Sequence, residues 1–266
     1  MDTLSIDDCN HIPNDAVTDY LTHYRCEPNK TLESICNIDC DIQSDLISKG
    51  RQQLCKSLSC KMLILEKNDL FTPPYEWSLY SDRRTGIAYL DRGYFGLVFL
   101  RRLGSEMLAV KIIKMNGLSN DDSNLINEVS NQLLAASYYI SPTIYDYYKC
   151  NCYSGNYAII IMEYLDGYLP DYKFRIHLEQ IKNFIHKHPV QLLELKKKIL
   201  ILNKSIEQII IQLVDNCNLN IPDLQLMINP TTFDVKIIDF GISEKILDSS
   251  KENIKAEFIR KFTFSI

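Results

Sequence analysis

Val235-Lys236-Ile237-Ile238-Asp239-Phe240-Gly241 runs from apolar to acidic to flexible within seven residues. The β-branched residues predict a strand, and Asp239 stands where that strand ends. Just upstream, Leu226 to Asn229 reads as a second short strand, joined to Phe233–Ile238 through Pro230-Thr231-Thr232. A carboxylate leaving a strand beside a glycine is a hard anionic oxygen, the kind of ligand Mg²⁺ takes when it also holds phosphates. Taken alone it is equally an acid ending a strand in a turn.

Working outward, the periodicity alternates between strand and helix. Gly86 to Leu103 and Glu106 to Met115 are rich in Val, Ile, Leu, Tyr and Phe, and Gly104-Ser105 between them predicts a hairpin. Within the first region lies Gly93-Tyr94-Phe95-Gly96-Leu97-Val98. Glycines there allow close approach of a ligand and let successive amides face phosphate oxygens, although a glycine pair among strands also makes a turn or bulge. Thirteen residues beyond Val98, Lys111 interrupts the apolar run Ala109-Val110-Lys111-Ile112-Ile113. A buried ammonium needs a partner, and Glu128 on the next predicted helix is the natural counter-charge. The competing reading lets Lys111 snorkel to water and leaves Glu128 on a wet helix face. That helix starts at the cap-forming cluster Asn120-Asp121-Asp122-Ser123 and runs to Ala136. Ile144 to Lys149 and Tyr157 to Leu165 form a strand pair around Ser154-Gly155, and a long helix spans Gln191 to Val214. Strands, helix, strands, long helix and a final small strand pair make an α+β chain.

A glycine loop, a strand lysine, a helix glutamate and a strand-ending Asp-Phe-Gly, in that order, resemble the protein kinase set over roughly residues 86–243. Met162-Glu163-Tyr164-Leu165-Asp166-Gly167 is similar to that family's hinge between lobes. The resemblance implies a two-lobed protein-kinase-like fold with a truncated C-lobe. The N-lobe would cover about 86–165 and the C-lobe about 166–266. It also implies ATP and Mg²⁺ as cofactors. Gly93, Gly96, Val98 and Glu163 would line the nucleotide, Lys111 would hold its α- and β-phosphates, and Glu128 would fix Lys111. Asp239 would bind the metal, assisted by Asn220.

Three departures bear on activity. The glycine loop begins with Asp91, whose carboxylate carries the wrong sign for phosphate. The catalytic loop, H-R-D-x-x-x-x-N in the family, has three possible registers here. Asp215 to Asn220 keeps the acid and the amide but leaves nineteen positions before Asp239. Asn220 to Gln225 fits the distance better but replaces the acid by an amide, and Asn218 to Asp223 swaps the two roles. Proton acceptance favours Asp215 as the acceptor-orienting residue. Finally, only twenty-five residues follow Gly241, with no A-P-E and little room for a peptide-docking lobe. The chain thus resembles the compact kinases of some viruses and bacterial effectors. The expectation is a Ser/Thr-type protein kinase acting on a protein substrate. The alternatives are a pseudokinase serving a regulatory protein partner and a kinase acting on a small molecule.

Composition sets the outer bounds. The 266 residues are 46% apolar and 24% charged with a net charge of −5, which excludes a basic field for nucleic acid or an anionic membrane. No eighteen apolar residues follow one another: the longest greasy region, Ile199 to Val214, is broken by Lys204 and Glu207. The acidic opening lacks the pattern of a secretory leader, so an intracellular, cytoplasmic location is expected. Thr72-Pro73-Pro74-Tyr75 cannot continue a helix and divides an N-terminal helical extension, 1–75, from a kinase-like domain, 76–266. Within the extension, Asp15 to Arg25 and Asp45 to Leu65 show helical spacing. Six of nine cysteines fall in the first sixty residues. Cys36/Cys40 and Cys55/Cys60 are loosely spaced for zinc, and reduced, partly buried thiols are expected, with Cys150 and Cys152 on one strand face. Lys196-Lys197-Lys198 reads as the wet face of the long helix. His177, His186 and His188 have no Ser or Cys partner in any recognised arrangement, which argues against a hydrolase.

Overall fold

The computed structural model describes residues 48–59, 87–92, 96–103, 106–115, 121–152, 155–185 and 187–265. The chain is mixed α+β and divides into two compact units. One holds the chain up to Ser123 together with Ile144–Tyr164, and the other holds Asn124–Thr143 with Leu165–Ile266.

The first unit is a five-stranded antiparallel sheet of β1 (Ile87–Arg92), β2 (Gly96–Leu103), β3 (Glu106–Met115), β4 (Ile144–Cys152) and β5 (Gly155–Glu163), in the order β1-β2-β3-β5-β4. What reads as one strand region from Gly86 to Leu103 is two paired strands, with Arg92 opposite Leu97. The β2–β3 hairpin forms as expected, with Leu103 opposite Glu106. Side chains alternate across the sheet. Leu97, Phe99, Val110, Ile112, Tyr157, Ile159 and Ile161 share one face and cluster with Leu54, Cys55 and Leu58 of helix α1, residues 48–59. Part of the front segment therefore belongs to the core of the sheet. The Asp15–Arg25 helix and the double-proline boundary lie outside the described residues.

Packing of α1 also overturns the expectation of thiols at one pair. Cys55 and Cys150 form a disulfide across 95 positions of sequence, their Cα atoms 6.4 Å apart. Spacing along the chain cannot reveal this proximity, because it arises only when α1 lies on the sheet. The bond removes Cys55 from any zinc pair with Cys60, and Cys36, Cys40 and Cys60 lie outside the described residues.

The second unit is built on helices. It contains α2 (Asp121–Ser137) from Asn124 onward, α3 (Asp171–Ile185), α4 (Pro189–Ile211) and α5 (Lys251–Phe262). A small sheet β6-β8-β9 (Leu169–Pro170, Gln225–Ile228, Val235–Ile238) accompanies them, with a pair β7 (Leu219–Asn220) and β10 (Glu244–Lys245). Helix α4 starts on a proline whose missing N–H would have no partner in the first turn. It buries Leu195, Ile199, Leu202, Ile206, Ile209 and Ile210 at three- and four-residue spacing, and its last turn widens into a π-helical segment, Gln212–Asn216. Lys196, Lys197 and Lys198 are exposed, as the wet-face reading expects, but Leu193, Leu200 and Ile201 share that exposure. Helices α3 and α5 are absent from the sequence reading. Only Phe174, Leu178 and Ile185 in one and Phe258 and Phe262 in the other are buried, and the remaining apolar residues interleave with charged ones, which masks the period. Among the described residues no helix is long and apolar enough to cross a membrane.

Candidate functional site

In the sheet unit the functional candidates gather around β3. Lys111 pairs with Val98 on one side and Ile160 on the other. Because Val110 and Ile112 face α1, alternation turns Lys111 to the opposite face. Lys111 is only 5% exposed, which removes the reading of a lysine snorkelling to water. Arg101, a second buried cation that the sequence reading passed over, shares the α1 side with Leu97 and Phe99, and burial pulls its pKa down. Gly96 is required by the sheet itself: a Cβ there would stand 2.1 Å from the Ile112 carbonyl oxygen. Its missing side chain lets β2 approach β3, whatever ligand lies nearby. Glu163 ends β5 opposite Leu108 and is half-buried. Gly93 lies outside the described residues.

In the helical unit, β9 delivers Asp239 into a backbone of φ 64°, left-handed and uncommon for a residue other than glycine. Phe240, fully buried in the core, anchors the next position. Such backbone strain persists where surrounding structure holds it, and it concentrates at functional sites. Glu128 on α2 is 4% exposed, so it does not decorate a wet face. One turn later Asn131 Nδ2 donates to Ser243 Oγ at 2.7 Å, and Ser243 Oγ in turn donates to the Phe240 carbonyl at 2.7 Å. Residues three apart share a helix face. The Glu128 face of α2 is thereby tied to the segment leaving Asp239. A second tie runs from the Ile237 N–H on β9 to the Ile140 carbonyl just past α2, at 2.7 Å. Sequence reasoning missed Asn131 and Ser243, although Asn131's position one turn after Glu128 was the available signal.

The three catalytic-loop registers land in different places. Asp215 lies in the π-helical turn after α4, exposed, where its Oδ2 accepts from Lys255 Nζ at 3.1 Å. Lys255 also reaches Glu252 at 2.6 Å, and the two carboxylates hold its pKa above the ordinary value. Asn220 is in β7 opposite Glu244, and Gln225 opens β8 opposite Ile238, the neighbour of Asp239. The turn from Asn220 to Gln225 thus sits at the strand end from which Asp239 departs, closed by a bond from the Leu224 N–H to the Ile221 carbonyl at 3.0 Å. Asp223 occupies this turn, and its Oδ1 is buried with no hydrogen-bond partner among the described residues. Asn218, left-handed at φ 56°, also carries a buried, unpartnered Oδ1. An uncompensated buried carboxylate oxygen is costly, and one beside a strained acid is what a cation or a donor hydroxyl would satisfy.

Among the described residues no three His, Cys, Asp or Glu side chains gather as a protein-only metal cage. Magnesium held through substrate phosphates needs only one or two protein carboxylates, so Asp239 suits that mode in number and chemistry. Compared with known proteins, the chain matches no family model and no curated sequence.

Proposed function

We propose that the chain is a compact kinase-like protein that binds Mg·ATP and passes the γ-phosphoryl group to a protein hydroxyl. The observation that carries this reading is the β7–β8 turn. It sets Asp223, with its buried unpartnered oxygen, at the strand end where left-handed Asp239 emerges. Further support comes from a buried lysine on the third strand and a buried glutamate on the helix that follows, the arrangement kinases use to hold nucleotide phosphates. On this reading the fold is two-lobed with a shortened C-lobe, and the protein acts inside the cell.

On this reading Lys111 would neutralise phosphate charge, the amides around Gly96 would assist, and Glu128 would serve as the counter-charge that the kinase resemblance implies. Asp239 would hold magnesium, which would supply positive charge against the phosphates. Asp223, in place of Asp215, orients the acceptor hydroxyl and takes its proton. The bond from the γ-phosphorus to the bridging oxygen breaks, a new P–O bond to the acceptor forms, and ADP leaves with the bridging oxygen.

A second reading, a pseudokinase that binds nucleotide or a protein partner without transfer, is favoured by the amides Asn220 and Gln225 at the two ends of the same turn. Neither accepts a proton as a carboxylate does. Thermal-shift titration with Mg·ATP, run beside radiolabel transfer to protein, separates the two. The kinase reading expects wild type to shift and transfer, Lys111→Met to lose both, and Asp223→Asn to keep the shift without transfer. A shift without transfer in wild type establishes the binding module. Absence of any Mg·ATP shift in wild type overturns the kinase reading and the nucleotide-binding form of the second.

A further inference from the structure

Helix α1 is fastened to the sheet at three successive same-face positions of β4. Arg51 donates from Nη2 to Asp146 Oδ1 at 2.8 Å and from Nε to Asp146 Oδ2 at 3.1 Å, a bidentate pair. Its guanidinium lies 5.0 Å from the centre of the Tyr148 ring, and the Tyr148 hydroxyl donates to the Arg51 carbonyl at 3.2 Å. Two residues further along the strand, Cys150 is bonded to Cys55. On the helix, Arg51, Leu54, Cys55 and Leu58 fall at i, i+3, i+4 and i+7, a single face, and Leu54 and Leu58 are buried against the sheet. The non-covalent contacts seat the helix, and the disulfide locks it.

Two features make this lock one that reagents can open. Strand β4 is an edge of the sheet, and Cys150 on it is half-buried, whereas Cys55 is fully buried. An incoming thiolate therefore meets the Cys150 sulfur first. The sulfur it displaces, Cys55, lies buried beside Leu54 and Leu58 and leaves as the pair's second thiol. We propose that the Cys55–Cys150 bond is a redox latch, opened by a dithiol reductant, that controls whether α1 stays locked on the sheet face behind Lys111. In the step, one thiolate of the dithiol attacks Cys150 Sγ, and the S–S electron pair passes to Cys55 Sγ, which takes up a proton. The second thiol then resolves the mixed disulfide, leaving Cys150 as a thiol and the reductant as its own disulfide.

This latch is independent of nucleotide chemistry and is tested without it. The full-length chain is compared in air-oxidised and dithiothreitol-reduced forms by hydrogen exchange, with alkylation and peptide mass mapping of the cysteines. The expected result is a Cys55–Cys150 peptide in the oxidised form only. On reduction, amide exchange over residues 48–59 should rise by about tenfold or more, since a closure spanning most of the unit is lost. Exchange in α4 should stay unchanged, and reoxidation should restore α1. Cys150→Ser should give the reduced pattern without any reductant. Arg51→Ala should leave α1 protected while the bond is intact and raise the reduced-form exchange further. Two results overturn the proposal: both cysteines alkylating freely in the oxidised protein, or α1 exchanging equally slowly in both forms, which would make the bond a passive staple.

Discussion

Gly96→Ala tests whether the glycine in the loop motif serves the sheet or a ligand. The added Cβ would lie 2.1 Å from the Ile112 oxygen, 3.0 Å from the Ile112 carbonyl carbon and 3.2 Å from the Ile113 Cα. An ordinary carbon–oxygen contact is about 3.3 Å, so the two backbones must part by roughly 1.2 Å. The obstacles are backbone atoms of a central strand, which no rotamer change can move aside. Gly96 is opposite Ile113 and Leu97 opposite Ile112 in the ladder, so the opening falls on one or two inter-strand hydrogen bonds. Losing those, at about 1 kcal/mol each, and loosening buried Leu97 and Ile112 gives a cost of about 2–4 kcal/mol. Urea unfolding of the full chain, followed by far-UV circular dichroism without nucleotide, measures it. A midpoint within about 0.5 kcal/mol of wild type would refute the reasoning and return Gly96 to a purely ligand-facing role.

Other substitutions test the helical unit. Asp215→Ala should leave phosphoryl transfer intact, read by the radiolabel assay, because its carboxylate is engaged with Lys255 on an exposed helical turn. Asp223→Asn should abolish transfer while raising the melting temperature or leaving it unmoved, since it removes the charge of a carboxylate whose buried oxygen has no donor. Burial pushes the Cys217 thiol from 9.0 up to about 11, so it should resist iodoacetamide at pH 8 until the protein is unfolded. The folded state binds that proton more tightly than the unfolded chain, so Cys217 supports stability below pH 9 and ceases to as pH rises to about 11, which urea midpoints across that range would report. Asn131→Ala should cost about 1 kcal/mol by the same unfolding assay, through the lost bond to Ser243.

Strong local patterns were legible. The β2–β3 hairpin, the β4–β5 pair, the long helix and the strand into Asp239 all follow from runs of β-branched or periodic apolar residues and the turn residues between them. Short or mostly polar elements were not. Two-residue strands such as β7 and β10 have no period to read, yet their pairing sets Asn220 against Glu244. The order of Lys111, Glu128 and Asp239 was visible along the chain, whereas the choice of Asp215 rested on proton acceptance set above spacing, and neither reveals that Asp215 lies in a π-helical turn and Asp223 in a tight strand-to-strand turn.

Chain chemistry alone therefore determined the α+β class, the sheet hairpins and the candidates Lys111, Glu128 and Asp239, because these depend on neighbours within a few residues. Only tertiary structure decided that Asp215 is engaged by Lys255, that half-buried Asp223 turns a buried oxygen inward near the Asp239 strand end, and that Cys55 meets Cys150. Those facts depend on contacts between residues as many as 95 positions apart, which exist only once packing has brought the elements together.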